Sequence, residues 1–272
     1  MEIWTRRTFS ASLCLWGAAG RMALAAPAKR FLVFDGLLFS PMPDLRKSGL
    51  PKLLAAGSTW RPKTSHDEVD PEGIKAAVEF IARYTTHYYF DLEEWTVSGA
   101  PRAVIDANIQ KLALTAEIAR QVAPELKFGF YDQAPRSAYW PVLLNKQDEL
   151  AQWHETNRRS AVIAAKVDYL FPSLYTFYDD LKGWEIAARA TLQEARQYGK
   201  PVYPFLCPWF HDSNVKLEGM KVAGDFWRHQ LDVCRELADG LVLWGGYKEL
   251  WDEEADWWVE TKAFLGTLSA PL

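Results

Sequence analysis

Short apolar runs alternate with helical patterns along this chain, and that alternation limits what it can fold into more than any other feature. The runs cover residues 31–39, 88–95, 127–131, 168–176, 202–210 and 240–247. Each is rich in aromatic or β-branched residues, as strands buried on both faces should be. Between and after them lie patterns of helical period at 71–84, 101–122, 147–166, 180–198, 219–237 and 253–265. Asp70-Pro71 and Ala100-Pro101 carry helix-start chemistry. Gly199 followed by Pro201 carries the stop. Such βα units imply a mostly parallel sheet. The first strand is not followed by GxGxxG, which removes the main support for a doubly wound dinucleotide-binding sheet. The expectation is therefore a closed (β/α) TIM-like barrel of six clear strands, with a seventh sought in the irregular stretch 55–61.

A chain of 272 residues suits one such domain. With 49% hydrophobic residues and a formal charge of −4, disorder and non-specific nucleic-acid binding are poor fits. No apolar run after the N-terminus reaches membrane-spanning length. Residues 1–28 read as a signal peptide. Arg6-Arg7 precede Phe9 and an Ala-rich apolar stretch, the pattern of a twin-arginine export signal, with cleavage after Ala25 or Ala28. Residues 29–268 would then be the barrel, periplasmic or secreted. Cys14 leaves with the signal, and Cys207 and Cys234 are expected as buried free thiols.

In such barrels chemistry sits at the C-terminal ends of the strands. The end reading Asp91-Leu92-Glu93-Glu94-Trp95 is the most informative. Read as a strand, it places Asp91, Glu93 and Trp95 on one face, with the two carboxylates about 7 Å apart at ~3.3 Å per residue. One of two such acids in a dry mouth is expected to rise in pKa and become a proton donor. Other ends carry Tyr131-Asp132, Tyr175, His211-Asp212 and Trp244 before paired glycines. Several rings with polar tips at one mouth suit a sugar better than a packed core alone does. The five histidines show no HxxxH or HExxH spacing, and no Gly-x-Ser-x-Gly elbow is present, so neither a metal nor a serine nucleophile is expected, and no cofactor.

Taken in order, these segments resemble the hyaluronidase family of glycoside hydrolases. The series comprises Asp91-x-Glu93-Glu94-Trp95, Gly129-Phe130-Tyr131, Gln147-Asp148-Glu149-Leu150, Phe171-Pro172-Ser173-Leu174-Tyr175, Pro201-Val202-Tyr203-Pro204 with Asp212, and Val242-Leu243-Trp244. The resemblance implies a distorted seven-stranded barrel and a retaining, substrate-assisted hydrolysis of a 2-acetamido polysaccharide. It implies Glu93 as general acid and base, with Asp91 and Tyr175 holding the acetamido group that attacks. Tyr131 and Trp244 would line the subsite of the cleaved sugar, Asp212 would be a more distant contact, and Trp95 and Asp132 complete the expected binding set. The loop after Tyr131 departs from the family pattern, with Gln133-Ala134-Pro135 in place. Two alternatives stand beside this reading: a two-carboxylate glycosidase acting on other glycans, and a barrel that binds glycans without cutting them. No protein partner is inferred.

Overall fold

The computed structural model describes residues 31–56 and 68–269. The signal-like residues 1–28 and most of the stretch 55–61 lie outside them.

Among the described residues six parallel strands form two ladders. In one, β1 (Leu32–Leu37) pairs with β6 (Gly240–Gly245), which pairs with β5 (Phe205–Leu206). In the other, β2 (Leu54–Ala55) pairs with β3 (His87–Phe90), which pairs with β4 (Lys127–Phe130). Isolated parallel bridges join the two ladders. On one side Asp35 meets Lys52. On the other, residues 170–176 run between β4 and β5, bridging Tyr131 to Phe171, Leu170 to Val202, Ser173 to Phe205 and Thr176 to Phe210. Counting this run, seven parallel segments go round the molecule, as a distorted (β/α) barrel requires. The run at 168–176 is thus not a regular strand. Pro172 and its neighbours Pro201 and Pro204 supply no N–H, so the ladder is interrupted where they stand.

The helices follow the strands: α1 (Pro71–Ile81), α2 (Arg102–Val122), the short α3 (Trp140–Leu143), α4 (Gln147–Lys166), α5 (Leu181–Arg196), α6 (Gly224–Leu237) and α7 (Asp256–Ser269). Asp70 caps α1 by accepting from Gly73 N at 3.1 Å, and Asp180 caps α5 through Gly183 N at 2.9 Å. Two helices start later than their patterns suggest. Residues 219–222 are drawn instead onto the chain before them, Phe210 N donating to Met220 O and Val222 N to Pro208 O. Glu253 precedes α7, its carboxylate accepting from the indole N–H groups of Trp251 and Trp258. Trp257 and Trp258 are buried under that helix.

Period-two alternation divides the core in two. Outward residues such as Tyr88, Phe90, Phe128, Leu170, Leu241 and Leu243 meet the helices. Inward ones fill the barrel: Phe34, Tyr89, Tyr131, Phe171, Tyr203, Phe205 and Val242, with Tyr169, Tyr175 and Trp244 against them. A Cβ at Gly129, on this inner face, would stand 2.3 Å from the Tyr169 carbonyl oxygen. Glycine there lets the bridged run come close to β4. Among the described residues no helix is long and apolar enough to cross a membrane.

Candidate active site

Parallel strands place all their C-terminal ends at one mouth. β3 stops at Phe90, whose carbonyl accepts Tyr131 N at 3.0 Å, and the chain then turns, with Trp95 N approaching Leu92 O. Asp91, Glu93 and Trp95 therefore do not share a strand face. Leu92 and Trp95 go into the helix-side core beside Val97, Ile105 and Ile109, and Lys111 lies over the Trp95 ring. Trp95 is 3% exposed and stands away from the mouth, correcting the expectation that it lines it. Glu93 is exposed in the turn and Asp91 half-buried.

The mouth is built from rings. Tyr175 stacks on Trp244 at 5.6 Å and 27°, and Tyr131 lies 5.8 Å from Tyr175. The Tyr131 hydroxyl donates to Ser173 Oγ at 3.0 Å. Tyr89 lies on the inner face of β3, two residues before Asp91 and against Phe205. Burial is the main reason that the Tyr131 and Tyr175 phenols titrate well above their ordinary value, so both remain proton-bearing donors at neutral pH. The negative charges facing them act in the same direction: Asp91 on Tyr89, and Asp132 and Glu93 on Tyr131. Tyr131, Tyr175 and Trp244 thus form one ring cluster at the strand ends, and the turn carrying Asp91 and Glu93 leaves from the end of β3.

Asp132 serves the frame beneath the rings. The residue has a left-handed φ of 47°, which Asp tolerates better than most residues. Its carboxylate accepts from Ser137 N at 3.1 Å, Ser173 N at 3.2 Å and the Ser137 hydroxyl, and pairs with Arg136 at 2.9 Å. Burial raises its pKa even against Arg136. These bonds tie the loop after β4 to the 170–176 run and so place Tyr175 beside Tyr131. Asp212 lies farther out on the rim, 81% exposed and paired with His211 Nδ1 at 3.2 Å.

Two residues beside the rings, Tyr89 and Ser173, were not among the expected site residues. Both carried a signal. Tyr89 lies two residues before Asp91 and Ser173 two before Tyr175, the spacing of one strand face. Cys207 and Cys234 are free thiols. Burial pushes Cys207 up to about 12 and raises Cys234 further.

No family model matches the chain, and no curated protein matches it by sequence. Solved structures do. The chain is similar to bee venom hyaluronidase in complex with a hyaluronic acid tetramer, with a TM-score of 0.59 and 13% identity, over 88% of this chain and 96% of that one. A monoclinic crystal form of bee venom hyaluronidase gives 0.57 at 13% identity, over 88% and 97%. At that identity the likeness is one of fold, and it extends to nearly the whole length of the bee protein.

Proposed function

We propose that the mouth is the active site of a retaining glycoside hydrolase that cleaves a 2-acetamido polysaccharide, with the acetamido group of the substrate as nucleophile. The observation that carries the reading is the cluster of Tyr131, Tyr175 and Trp244 rings at the strand ends, where the turn with Asp91 and Glu93 leaves β3. The likeness of fold to a hyaluronidase seen with a hyaluronic acid tetramer supports it.

The chemistry follows from the groups. Glu93 gives its proton to the glycosidic oxygen as the bond from that oxygen to the anomeric carbon breaks. The acetamido oxygen bonds to the same carbon from the other face, forming an oxazolinium ion. An intramolecular nucleophile held in place reacts at high effective molarity. Asp91 offsets the positive charge that develops, and the Tyr175 hydroxyl holds the acetamido oxygen in line. Water then attacks the anomeric carbon, Glu93 takes its proton, and the ring opens with configuration retained. Tyr131 and Trp244 hold the cleaved sugar between a polar tip and an apolar face.

Product analysis on hyaluronan, chondroitin, chitin oligomers and bacterial glycans, with and without the 2-acetamido group, tests the reading. Cleavage with retention that is abolished when acetamido is replaced by hydroxyl is the expected result. A fluorosugar ester trapped on Asp91 would establish the two-carboxylate route instead. Binding with no cleavage of any glycan would reduce the protein to a lectin-like barrel.

A further inference from the structure

A line of aromatic rings leaves the mouth. From Tyr175 it passes to His211 at 6.0 Å, to Phe177 at 4.7 Å, to Tyr139 at 6.4 Å, to Tyr178 at 5.3 Å, and to Trp140 at 4.9 Å. Tyr175 stacks on Trp244, so the line is continuous with the site. Its outer end does not serve the core. Trp140 is 44% exposed, and Tyr139 and Tyr178 are half-buried. Single exposed rings are ordinary, but a contiguous set rimmed by polar groups marks a binding surface.

The outer rings are fixed in place. Trp140 Nε1 donates to the Tyr178 hydroxyl at 3.2 Å, and the Tyr139 hydroxyl approaches Asp180, the cap of α5, at 3.5 Å. A Cβ at Gly183 would stand 2.7 Å from the Tyr139 hydroxyl and 2.1 Å from Asp180 Oδ2, so glycine is what admits both groups to the first turn of α5. The indole N–H, the edge that usually seeks a partner, already has one, which leaves the ring faces for a ligand. Beside Tyr139, the inner member of this outer end, lies a cavity of about 190 Å³ that reaches down to Trp184 of α5, lined by Tyr139, Tyr175 and Phe177 with the polar Arg136 and Ser137. Apolar faces beside a few fixed polar groups match the two-sided character of a pyranose ring.

We propose that Trp140, Tyr139 and Tyr178 form a distal subsite that stacks a pyranose unit of the same polysaccharide, away from the bond being cut. This rests on the glycosidase reading of the mouth and goes beyond it: the polysaccharide is held at a second place, away from the bond being cut.

The test uses the full chain carrying Glu93→Gln, so that glycans bind without being consumed, and compares it with the double variants that add Trp140→Ala or Trp140→Phe. Calorimetry with the dimer and hexamer of β-1,4-linked N-acetylglucosamine gives the ratio of hexamer to dimer affinity. Trp140→Ala should lower that ratio about tenfold, and Trp140→Phe, which keeps a ring, should retain most of it. An equal ratio in all three proteins, with the hexamer bound, overturns the distal subsite and leaves the glycosidase reading standing. Absence of glycan binding by every protein overturns both. Trp140→Ala dissociating a self-associated form with no change in the ratio shows the rings to be a protein contact and overturns the subsite.

Discussion

Asp168 stands where the irregular run leading to Tyr175 begins, and replacing it should loosen the fold measurably. Its carboxylate accepts from Phe128 N at 3.2 Å, from Lys127 Nζ at 3.0 Å and from the Arg120 guanidinium, while its own N–H donates to Phe128 O at 2.9 Å. Phe128 is fully buried, so Asp168→Ala orphans a backbone N–H, at a cost of about 1–3 kcal/mol. Arg120 is 32% exposed and Lys127 47%, so solvent screens both pairs and together they add only about 1 kcal/mol. The expected loss is about 3 kcal/mol, or roughly 6–12 °C in thermal midpoint for a domain of this size. Asp168→Asn keeps an acceptor for Phe128 N–H and should lose about 1 kcal/mol. The pH dependence adds a second test. Burial acts to raise the Asp168 carboxyl, but the Arg120, Lys127 and Phe128 bonds outweigh it and hold the group below its ordinary 3.8. A depressed carboxyl stabilises the fold fully above that value and ceases to do so as pH falls through its folded value. The gap between wild type and Asp168→Asn should therefore be constant from pH 5 to 7 and close below pH 3.8. Urea titration followed by near-ultraviolet circular dichroism reads both effects. Equal midpoints at pH 7 for wild type and Asp168→Ala, or a gap that persists in acid, would refute the reasoning.

Two other outcomes follow from the site and the thiols. Glu93→Gln should keep the fold and lower turnover by roughly 10²-fold or more, with a much smaller effect from Glu94→Gln; equal turnover in Glu93→Gln and wild type would remove Glu93 from the mechanism. Thermal midpoints with and without reductant should agree because Cys207 and Cys234 are free, whereas a drop equivalent to about 2–4 kcal/mol would reveal a bridge.

Much of the barrel was legible because its signals are local. Proline and aspartate at helix starts, and aromatic runs of strand length, name their elements without reference to the rest of the chain. The errors arose where hydrogen-bond partners decide the outcome. Residues 88–95 read as one strand because the pattern continues past Phe90, but the ladder ends there and the chain turns Trp95 into the helix layer. In 168–176 alternate residues Tyr169, Phe171 and Tyr175 lie against the inner core, while prolines remove ladder donors and leave only bridges. The mouth was legible as a set of strand ends. The outer rings were not, because Trp140 and Tyr178 lie far apart in sequence and meet only when α3 lies beside the start of α5.

The inward rings of the barrel carry an implication for how such a protein can be remade. Phe205 meets Tyr89 and Tyr131 edge to face, at 4.9 Å and 5.0 Å, and also Phe171, which lies against Tyr203. The groups that border the site are the same groups that plug the barrel. Under the proposed reaction, drift at these positions is penalised twice, once in folding yield and once in turnover, so a library seeking a new glycan has little freedom in the floor. Its freedom lies in the turns above: residues 91–95, 132–140, 177–180, 211–221 and 246–252. Exchange of those turns between relatives, over an untouched plug, is the route by which one scaffold would acquire many specificities.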